Sequence, residues 1–190
     1  MKAENIKILK DGGVGIIPTD TIYGLVGRAF LPEAVGRIAK LKNRSDGKGF
    51  IVLISSLEDL EKFGVIPTET AKIFLKKFWP GQVSVEFISS ASRFDYLKKI
   101  GGTIAFRVPN KPDLLELLRQ TGPLVAPSAN PEGLPPAKNI PEAQKYFGLP
   151  GQGGLVDFYE DEGELNSPPS TLIRIVGEKV EVLREGAVKI

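Results

Sequence analysis

The sequence predicts an α/β protein with one domain over residues 1–190, in which helices flank a twisted sheet of mixed parallel and antiparallel strands. Three observations predict this fold class. The chain has 190 residues, enough for one well-packed domain and few for two. Strand-like apolar runs alternate along the chain with segments of helical periodicity. The last two strands, 171–176 and 180–183, can pair as a hairpin across Gly177-Glu178, so a regular doubly wound parallel sheet is not expected.

The first elements are predicted from turn residues and from apolar runs. A buried strand over 14–18 follows the turn Asp11-Gly12-Gly13. A helix over 32–42 begins at Pro32, which suits the first turn of a helix, and its apolar residues recur at helical spacing. The β-rich run at 50–54 predicts the next strand.

Two helices are predicted between this run and the middle of the chain. Ser56 and Asp59 resemble a capping box, which predicts a helix that extends to about residue 63. A longer helix over 68–78 stops before Pro80-Gly81, because proline and glycine interrupt helices.

The remaining elements alternate between strands and helices. Residues 83–87 alternate with a period of two, which is typical of a half-exposed strand. We predict a strand over 103–108, a helix over 113–120, a strand over 124–126 and a helix over 141–147.

The segment between the last helix and the terminal hairpin, residues 148–169, is predicted to be a long irregular loop. Within it, residues 157–164 contain five acidic residues and no basic one. Short blocks of like charge are usually solvated, so we expect this stretch to be an exposed loop.

Composition excludes several classes of chemistry. The chain has no cysteine and no histidine, which excludes disulfides, thiolate zinc sites, Ser-His-Asp catalysis and nearly all transition-metal sites. Catalysis would therefore use carboxylates, lysines, arginines, hydroxyls, a hard cation such as Mg²⁺, or groups of the substrates. No apolar run is long enough to span a membrane and no signal peptide is evident, so we expect a cytoplasmic protein without membrane contact.

Polar side chains follow the predicted strand at 124–126. The apolar run ends in Pro127-Ser128-Ala129-Asn130, which presents a hydroxyl and a carboxamide at the end of a buried strand. Because a strand holds such groups rigidly while a loop leaves space for a ligand, this segment predicts a binding site.

A basic cluster supplies the charge that such a site would need. Lys42 and Arg44 stand two residues apart at the end of a predicted helix, and Lys48 follows after a turn. In an extended segment the first two side chains would point to the same side and could bind a triphosphate. The alternative is a basic helix terminus that complements the helix dipole.

Three other segments each have a functional and a structural interpretation. Asp20 could attract a cation or an ammonium group, or cap a turn together with neighbouring threonines. Arg107, at the end of a buried strand, could bind a carboxylate or phosphate, or form a structural ion pair. Trp79 could stack on a base, although a wedge in the core is favoured.

These motifs follow one another in a recognisable order: Pro18-Thr19-Asp20-Thr21-Ile22-Tyr23-Gly24-Leu25, Lys42-x-Arg44, Phe78-Trp79-Pro80-Gly81, Arg107-Val108-Pro109, Pro127-Ser128-Ala129-Asn130, Pro169-Ser170-Thr171 and Leu183-Arg184-x-Gly186. Together they resemble the YrdC/TsaC family of threonylcarbamoyl-AMP synthases, over about residues 5–188. The resemblance implies a YrdC-like fold in its short, single-domain form. Leu53 departs from the pattern, since many relatives have a histidine near that place.

The resemblance implies roles for individual residues. Those assigned to catalysis are Lys42, Arg44, Ser128 and Asn130. Those assigned to ATP are Lys42, Arg44, Lys48, Asn130 and Arg184. Those assigned to threonine are Thr19, Tyr23, Arg107, Ser128 and Ser170, and no residue is assigned to a metal.

The resemblance also implies substrates and partners. The substrates would be ATP with Mg²⁺, L-threonine and bicarbonate, and the product would pass to a threonylcarbamoyl transfer complex that modifies adenosine 37 of tRNA. Contact with tRNA or double-stranded RNA would be a second property, and an RNA-binding module without chemistry is the alternative. These two interpretations come from the basic residues at 37–48 and not from the resemblance; the residues are Arg37, Lys40, Lys42, Arg44 and Lys48. A carbamoyl transferase of the hydrogenase-maturation type is a further alternative, but those proteins are far longer and carry cysteine zinc motifs.

Overall fold

The computed structural model describes residues 1–176 and 179–190. Its α-helices are α1 (Ala3–Lys10), α2 (Pro32–Leu41), α3 (Glu69–Phe78), α4 (Pro112–Thr121) and α5 (Ile140–Phe147), and its 3₁₀ helices cover Leu57–Phe63 and Ser92–Leu97. Its strands are β1 (Gly15–Pro18), β2 (Tyr23–Arg28), β3 (Ile51–Leu53), β4 (Val83–Ile88), β5 (Thr103–Arg107), β6 (Leu124–Val125), β7 (Phe158–Tyr159), β8 (Thr171–Val176) and β9 (Lys179–Arg184). Among the described residues, no helix is both long enough and apolar enough to cross a membrane.

The described strands form one sheet in the order β7-β1-β2-β6-β3-β5-β4-β8-β9. The pairs β1–β7, β3–β5 and β4–β8 are parallel, and the other neighbours are antiparallel. The predicted fold class, a mixed sheet flanked by helices, is confirmed. The two strands of the terminal hairpin pair as predicted, while its turn at Gly177-Glu178 lies outside the described residues.

Local sequence accounts for several helix boundaries. Pro32 stands in the first turn of α2 as predicted. The Thr68 hydroxyl accepts a hydrogen bond from the Ala71 amide and so caps α3. The predicted capping box at Ser56 is wrong, because Ser56 makes no side-chain cap and Asp59 accepts hydrogen bonds from the amide and hydroxyl of Ser55 instead.

Strand β4 differs from its prediction because of its neighbours. Its alternating sequence predicted a half-exposed strand, but Ser84 and Glu86 are buried. The strand lies between β5 and β8, so both of its edges are paired, and side chains from these two neighbours contact Glu86. The polar side chains bind partners there: Ser84 pairs with Ser170, and Glu86 with Arg174.

Four elements were not predicted, and one of them is the 3₁₀ helix Ser92–Leu97. Helix α1 and strand β2 fall in segments that gave no clear pattern. The two-residue strand β7 lies inside the segment predicted to be irregular and pairs in parallel with β1. Strand β2 depends on tertiary partners, since it is fixed between β1 and β6.

The core has apolar clusters on both faces of the sheet. One face is covered by α2, α3 and α5 and includes the ring cluster Phe30, Phe63, Phe94 and Phe106. Trp79 belongs to this cluster and donates from its indole nitrogen to the Val83 carbonyl, which confirms its core role.

The opposite face of the sheet positions the site. Helices α1 and α4 cover only part of it, with Leu9, Leu114 and Leu117 packed on strand residues that include Leu53. Ile51 lies on the same face as Leu53, because side chains two residues apart in a strand share a face. The uncovered part of this face, around Ile51, is therefore free to form a cavity.

Candidate functional site

A cavity of about 220 Å³ lies over the uncovered part of the sheet. Its charged lining consists of Arg44, Arg107 and Arg184. Its hydroxyl groups come from Thr19, Thr21, Ser128 and Ser170, and its other lining residues are Ile22, Gly24, Ile51, Ala126, Pro127, Pro136 and Pro169. No carboxylate is present among these described lining residues, so the cavity favours anionic ligands.

A second cavity of about 240 Å³ adjoins the first. The two share Arg44, Ile51 and Arg184 as lining residues. The second cavity also contains Lys48, Phe50, Glu86, Lys99 and Thr103. A ligand that extends from one cavity into the other would pass two guanidinium groups.

The segment after β6 is held by backbone pairing with β2. The Leu25 amide donates to the Pro127 carbonyl, and the Ala129 amide donates to the Tyr23 carbonyl. Ser128 lies between these two bonds and forms an isolated bridge with Gly24. The backbone of Ser128 is therefore held in place, and its side chain lines the cavity, as the sequence pattern predicted for this segment.

Lys42 braces this segment from inside the protein. Its ammonium group donates to the Ser128 carbonyl at 2.6 Å, to the Asn130 carbonyl at 2.7 Å and to the Asn130 side-chain oxygen at 3.3 Å. Only 4% of Lys42 is exposed, and it does not line either cavity. The helix-dipole alternative does not describe Lys42, because its acceptors belong to a distant segment.

The predicted extended geometry of Lys42 and Arg44 is wrong. Lys42 has helical dihedral angles, and Asn43 follows with φ of 48°, in the left-handed region that asparagine tolerates. The chain reverses at Asn43, so Lys42 points under the Ser128 segment while Arg44 reaches the cavity wall.

Arg44 is held by its own loop. Its Nε donates to the Lys48 carbonyl at 3.0 Å, another guanidinium nitrogen donates to the Gly49 carbonyl, and the group lies 4.7 Å from the centre of the Phe50 ring. Burial lowers the pKa of Arg44, but an arginine remains charged in proteins. It presents this charge to both cavities.

Arg107 combines the two roles that the sequence left open. Its guanidinium lies 3.2 Å from Asp20, and both side chains are about 5% exposed or less. It also donates to the Thr21 hydroxyl at 3.2 Å, while its Nε has no partner among the described residues. The ion pair is structural, yet donors remain for a ligand in the cavity that Arg107 lines.

Ser170 and Arg184 form the wall nearest β8 and β9. Arg184 donates to the carbonyl of Ser170 at 2.7 Å and to its hydroxyl at 3.2 Å. The Ser170 hydroxyl also lies 2.9 Å from the hydroxyl of Ser84. These contacts fix the guanidinium of Arg184 between the two cavities.

Gly186 allows this wall to close. A Cβ atom there would lie 2.3 Å from the Pro169 carbonyl oxygen and 2.5 Å from backbone atoms of Ser170 and Thr171. We therefore expect Gly186→Ala to cost about 1–3 kcal/mol of stability, as overpacking does, and to displace Ser170. Urea denaturation measures the cost.

Gly36 offers a matched control for this prediction. It lies within α2, and a Cβ atom there would meet no atom within 4 Å. Gly36→Ala should therefore be neutral or stabilising, since alanine favours helices. Equal stability of the Gly186→Ala protein and the wild type would contradict the proposed backbone constraint.

Several predicted site residues lie elsewhere or have additional partners. Tyr23 is fully buried and does not line either cavity; its hydroxyl donates to the Gly163 carbonyl and accepts from the Glu162 amide. We do not propose it as a threonine contact. Lys48 lines only the second of these two cavities and pairs with Glu132. Thr19 lines the first cavity, but it also makes the local turn bonds that were its structural alternative.

The acidic stretch at 157–164 was expected to be an exposed, solvated loop, but several of its carboxylates have partners in the protein. Asp157 pairs with Arg37 at 2.7 Å, and Glu162 pairs with Lys111. Glu160 accepts a hydrogen bond from the Asn5 side chain at 2.6 Å. The charges therefore fasten this loop to the body of the protein.

Sequence reasoning did not find Thr21, Glu86 or Glu132 as site residues. Thr21 belongs to the motif Pro18–Leu25, but nothing in the sequence distinguishes it from the other residues of that motif. Its role becomes visible only in the structure, where Arg107 donates to its hydroxyl. Glu86 was missed because its alternating strand was expected to expose its polar side chains to solvent. Glu132 lies two residues after Asn130, but its partners are more than eighty residues away in the sequence.

Comparison with known proteins identifies the family. A family model named Sua5/YciO/YrdC and described as "Telomere recombination" matches residues 7–186. The chain belongs to the Sua5/YciO/YrdC family. The motif order that resembled YrdC proteins is thereby confirmed.

Individual members of the Sua5/YciO/YrdC family agree with this placement. The chain is 35% identical over 147 residues to a threonylcarbamoyl-AMP synthase of Coxiella burnetii, covering 75% of this chain and 77% of that protein. A P. abyssi Sua5 structure complexed with L-threonine has a TM-score of 0.83 and 28% identity, covering 96% of this chain. This chain spans about half of that longer one, 53%. E. coli YciO shares the fold, with a TM-score of 0.85, 24% identity and coverage of 98% of this chain and 89% of YciO.

Proposed function

We propose that this protein is an L-threonylcarbamoyladenylate synthase, which forms threonylcarbamoyl-AMP and pyrophosphate from L-threonine, bicarbonate or CO₂, and ATP. The observation that carries the proposal is the convergence of Arg44, Arg107 and Arg184 on one cavity that has no carboxylate among its described lining residues. The proposed reaction brings together the carboxylate of threonine, a carbamate intermediate and the triphosphate of ATP. Such a set of anions needs several fixed cations. The names of curated relatives support the same activity.

Arg107 is the residue we assign to the threonine carboxylate. Its terminal nitrogens contact Thr21 and Asp20, and these nitrogens carry further N–H donors for a planar anion in the cavity that Arg107 lines. Thr19 and Ser170 line the same cavity and can bind the amine or hydroxyl of threonine.

Arg44 and Arg184 are the residues we assign to the phosphates of ATP. They lie between the two cavities, so a triphosphate beside them would leave the nucleoside in the second cavity. Phe50 and Thr103 line that cavity and offer an apolar and a hydroxyl contact. Lys48 lines it too and supplies a further cation.

The chemistry requires no nucleophile from the protein. The threonine amine attacks CO₂ or bicarbonate to give a carbamate; a proton is released when CO₂ reacts, and water is released when bicarbonate reacts. An oxygen of the carbamate then attacks the α-phosphorus, and pyrophosphate leaves. The protein aligns the reactants and stabilises the developing charge, with Ser128 on the cavity wall as a hydrogen-bond donor.

Mg²⁺ belongs to the proposal as a companion of ATP. The described residues contain no group of three acidic side chains that could hold a metal ion, and no carboxylate is present among the residues that line the first cavity. Phosphate oxygens and water would therefore supply its ligands, and the ion would neutralise phosphate charge.

The cellular role that we propose is a supply of threonylcarbamoyl-AMP for modification of tRNA adenosine 37 by a separate transfer complex in the cytoplasm. Of the basic residues at 37–48 that suggested an RNA-binding module, Lys40 is exposed, but the others are paired, buried or held within the site. Arg37 pairs with Asp157, Lys42 is buried, and Lys48 pairs with Glu132. The enzyme is therefore the favoured function.

A substrate-omission assay tests the proposed function. Purified protein is incubated with ATP, L-threonine, bicarbonate and Mg²⁺, and pyrophosphate and the AMP-linked product are measured. We expect both products only when all substrates are present. Pyrophosphate release that is independent of threonine, or no product with the complete set, would refute the proposal.

The ATP affinity should depend on pH through Lys42. Burial, and then the nearby charge of Arg44, lower the pKa of Lys42 from 10.5 to about 8. Three oxygen acceptors use every donor of the ammonium form, so Lys42 is charged at neutral pH and braces Ser128 and Asn130. We expect ATP binding, measured without threonine, to weaken as the pH rises through about 8.

Stability should change in the opposite direction over the same range. The folded-state pKa of Lys42 is lowered, so between about 8 and 10.5 the unfolded chain binds more protons than the folded one. The contribution of Lys42 to the free energy of unfolding therefore increases as the pH rises from about 8 to 10.5. Lys42→Arg should remove both effects, and pH-independent ATP affinity in the wild type would count against the brace.

A further inference from the structure

Glu132 joins two loops that carry site residues. Its carboxylate accepts hydrogen bonds from the amide and the hydroxyl of Ser45, each at 2.8 Å, and pairs with Lys48. Its own backbone amide donates to the Lys42 carbonyl at 2.6 Å. The loop after α2 is therefore tied to the turn that follows Asn130.

These contacts bear directly on the position of Arg44. The flanking residues Lys42 and Ser45 both contact the segment 128–132, through the Lys42 side chain and through Glu132. The hydrogen bonds of Arg44 itself go to Lys48 and Gly49, which belong to the same loop and would move with it. The distance between the Arg44 charge and the Ser128 segment thus depends on Lys42 and Glu132.

The negative charge of Glu132 also helps to hold the Arg44 loop against the Ser128 segment. Its hydrogen bonds with Lys48 and then with Ser45 lower its pKa to about 2, so the contacts persist through the neutral range. Its negative charge acts against the burial that lowers the pKa of Lys42 and Arg44. It does not line either cavity, so it balances these cations without repelling an anionic ligand directly.

We propose that Glu132 is a positioning residue for the phosphate end of ATP: it holds the Arg44 loop at a fixed place relative to the Ser128-x-Asn130 turn. The proposal rests on the proposed function, because it assigns Arg44 to phosphate. The competing interpretation is an ordinary surface ion pair, and such pairs contribute little. The two interpretations differ in what happens to ATP kinetics and to the mobility of the loop.

Two substitutions and one control test the proposal. Glu132→Ala removes all side-chain contacts, while Glu132→Gln keeps an acceptor for the Ser45 amide and loses the charge. Glu116→Ala is the control, since Glu116 also accepts two side-chain hydrogen bonds but lies on the exposed surface of α4. For each protein, kcat, the KM values for ATP and threonine, and backbone amide exchange at residues 44–49 are measured.

We expect Glu132→Ala to raise the KM for ATP by about 10-fold or more, because a displaced Arg44 would lose its charge-assisted hydrogen bond to phosphate. The KM for threonine should change by less than about 2-fold, because Arg107 is held by Asp20 and Thr21 and the site lies outside the tied loops. Amide exchange at 44–49 should accelerate, Glu132→Gln should give intermediate values, and Glu116→Ala should match the wild type.

Two results would overturn the proposal. The first is wild-type ATP kinetics and wild-type amide exchange in Glu132→Ala. The second is an equal rise in both KM values with a general loss of stability, which indicates a merely structural role. If the wild-type protein makes no threonylcarbamoyl-AMP, the proposed function fails, and unchanged exchange at 44–49 in Glu132→Ala would still decide against the anchoring role on its own.

Discussion

Replacing Arg44 by alanine should lower turnover by about 100-fold or more, as removal of a preorganised charge in an active site typically does. Arg44 lines both cavities and is fixed by two backbone carbonyls and the Phe50 ring, so its charge needs no reorganisation when phosphate binds. The measurement is the rate of pyrophosphate release at saturating substrates.

The comparison between Arg44→Ala and Arg44→Lys refines this expectation. Lysine retains the charge but cannot donate to two carbonyls and a phosphate with one planar group, so it should recover only part of the activity. Arg119→Ala is the control, because Arg119 is an exposed arginine of α4 with one ion-pair partner, Glu116. Full activity in Arg44→Ala would remove Arg44 from the phosphate site.

The second large effect is expected at Arg107, in both stability and threonine binding. Arg107→Ala leaves Asp20 buried without its cationic partner, and breaking a buried pair from one side costs about 3–5 kcal/mol. The same substitution removes the group that we assign to the threonine carboxylate. Urea denaturation measures the first effect, and the KM for threonine measures the second.

A double variant separates these two effects. In Asp20→Asn with Arg107→Gln, the buried charges are removed together, while asparagine can still accept the hydrogen bond that the Asn110 amide gives to Asp20. We expect stability to recover most of the loss. The KM for threonine should stay raised by about 10- to 100-fold, the range for a lost hydrogen bond to a charged group. Recovery of threonine affinity with stability would show that Arg107 acts only as a structural partner.

Much of the fold was predictable because its signals are local. Pro32, Thr68 and the helical spacing of apolar residues define α2 and α3 from within each segment. The strand before Ser128 was likewise recognisable from a short apolar run. Strand β2 was missed, because it is stabilised mainly by pairing with β1 and β6, and neither partner is evident from its own residues.

The candidate site shows the same division at the level of side chains. The motifs named Arg44, Arg107, Ser128, Ser170 and Arg184, and the structure brings all five to one cavity. Their spacing could not show that Lys42 turns inward, since that depends on the left-handed Asn43 and on acceptors in another segment.

The sequence by itself determined the family, the mixed α/β architecture and the absence of cysteine and histidine chemistry, because these follow from residue identity and short-range pattern. Only the tertiary structure decided that Lys42 braces the Ser128 segment, that Glu86 is buried and that Glu132 ties two loops together. The physical reason is that the direction and burial of a side chain are set by neighbours that the chain brings together from distant positions. Local propensity carries no information about those neighbours.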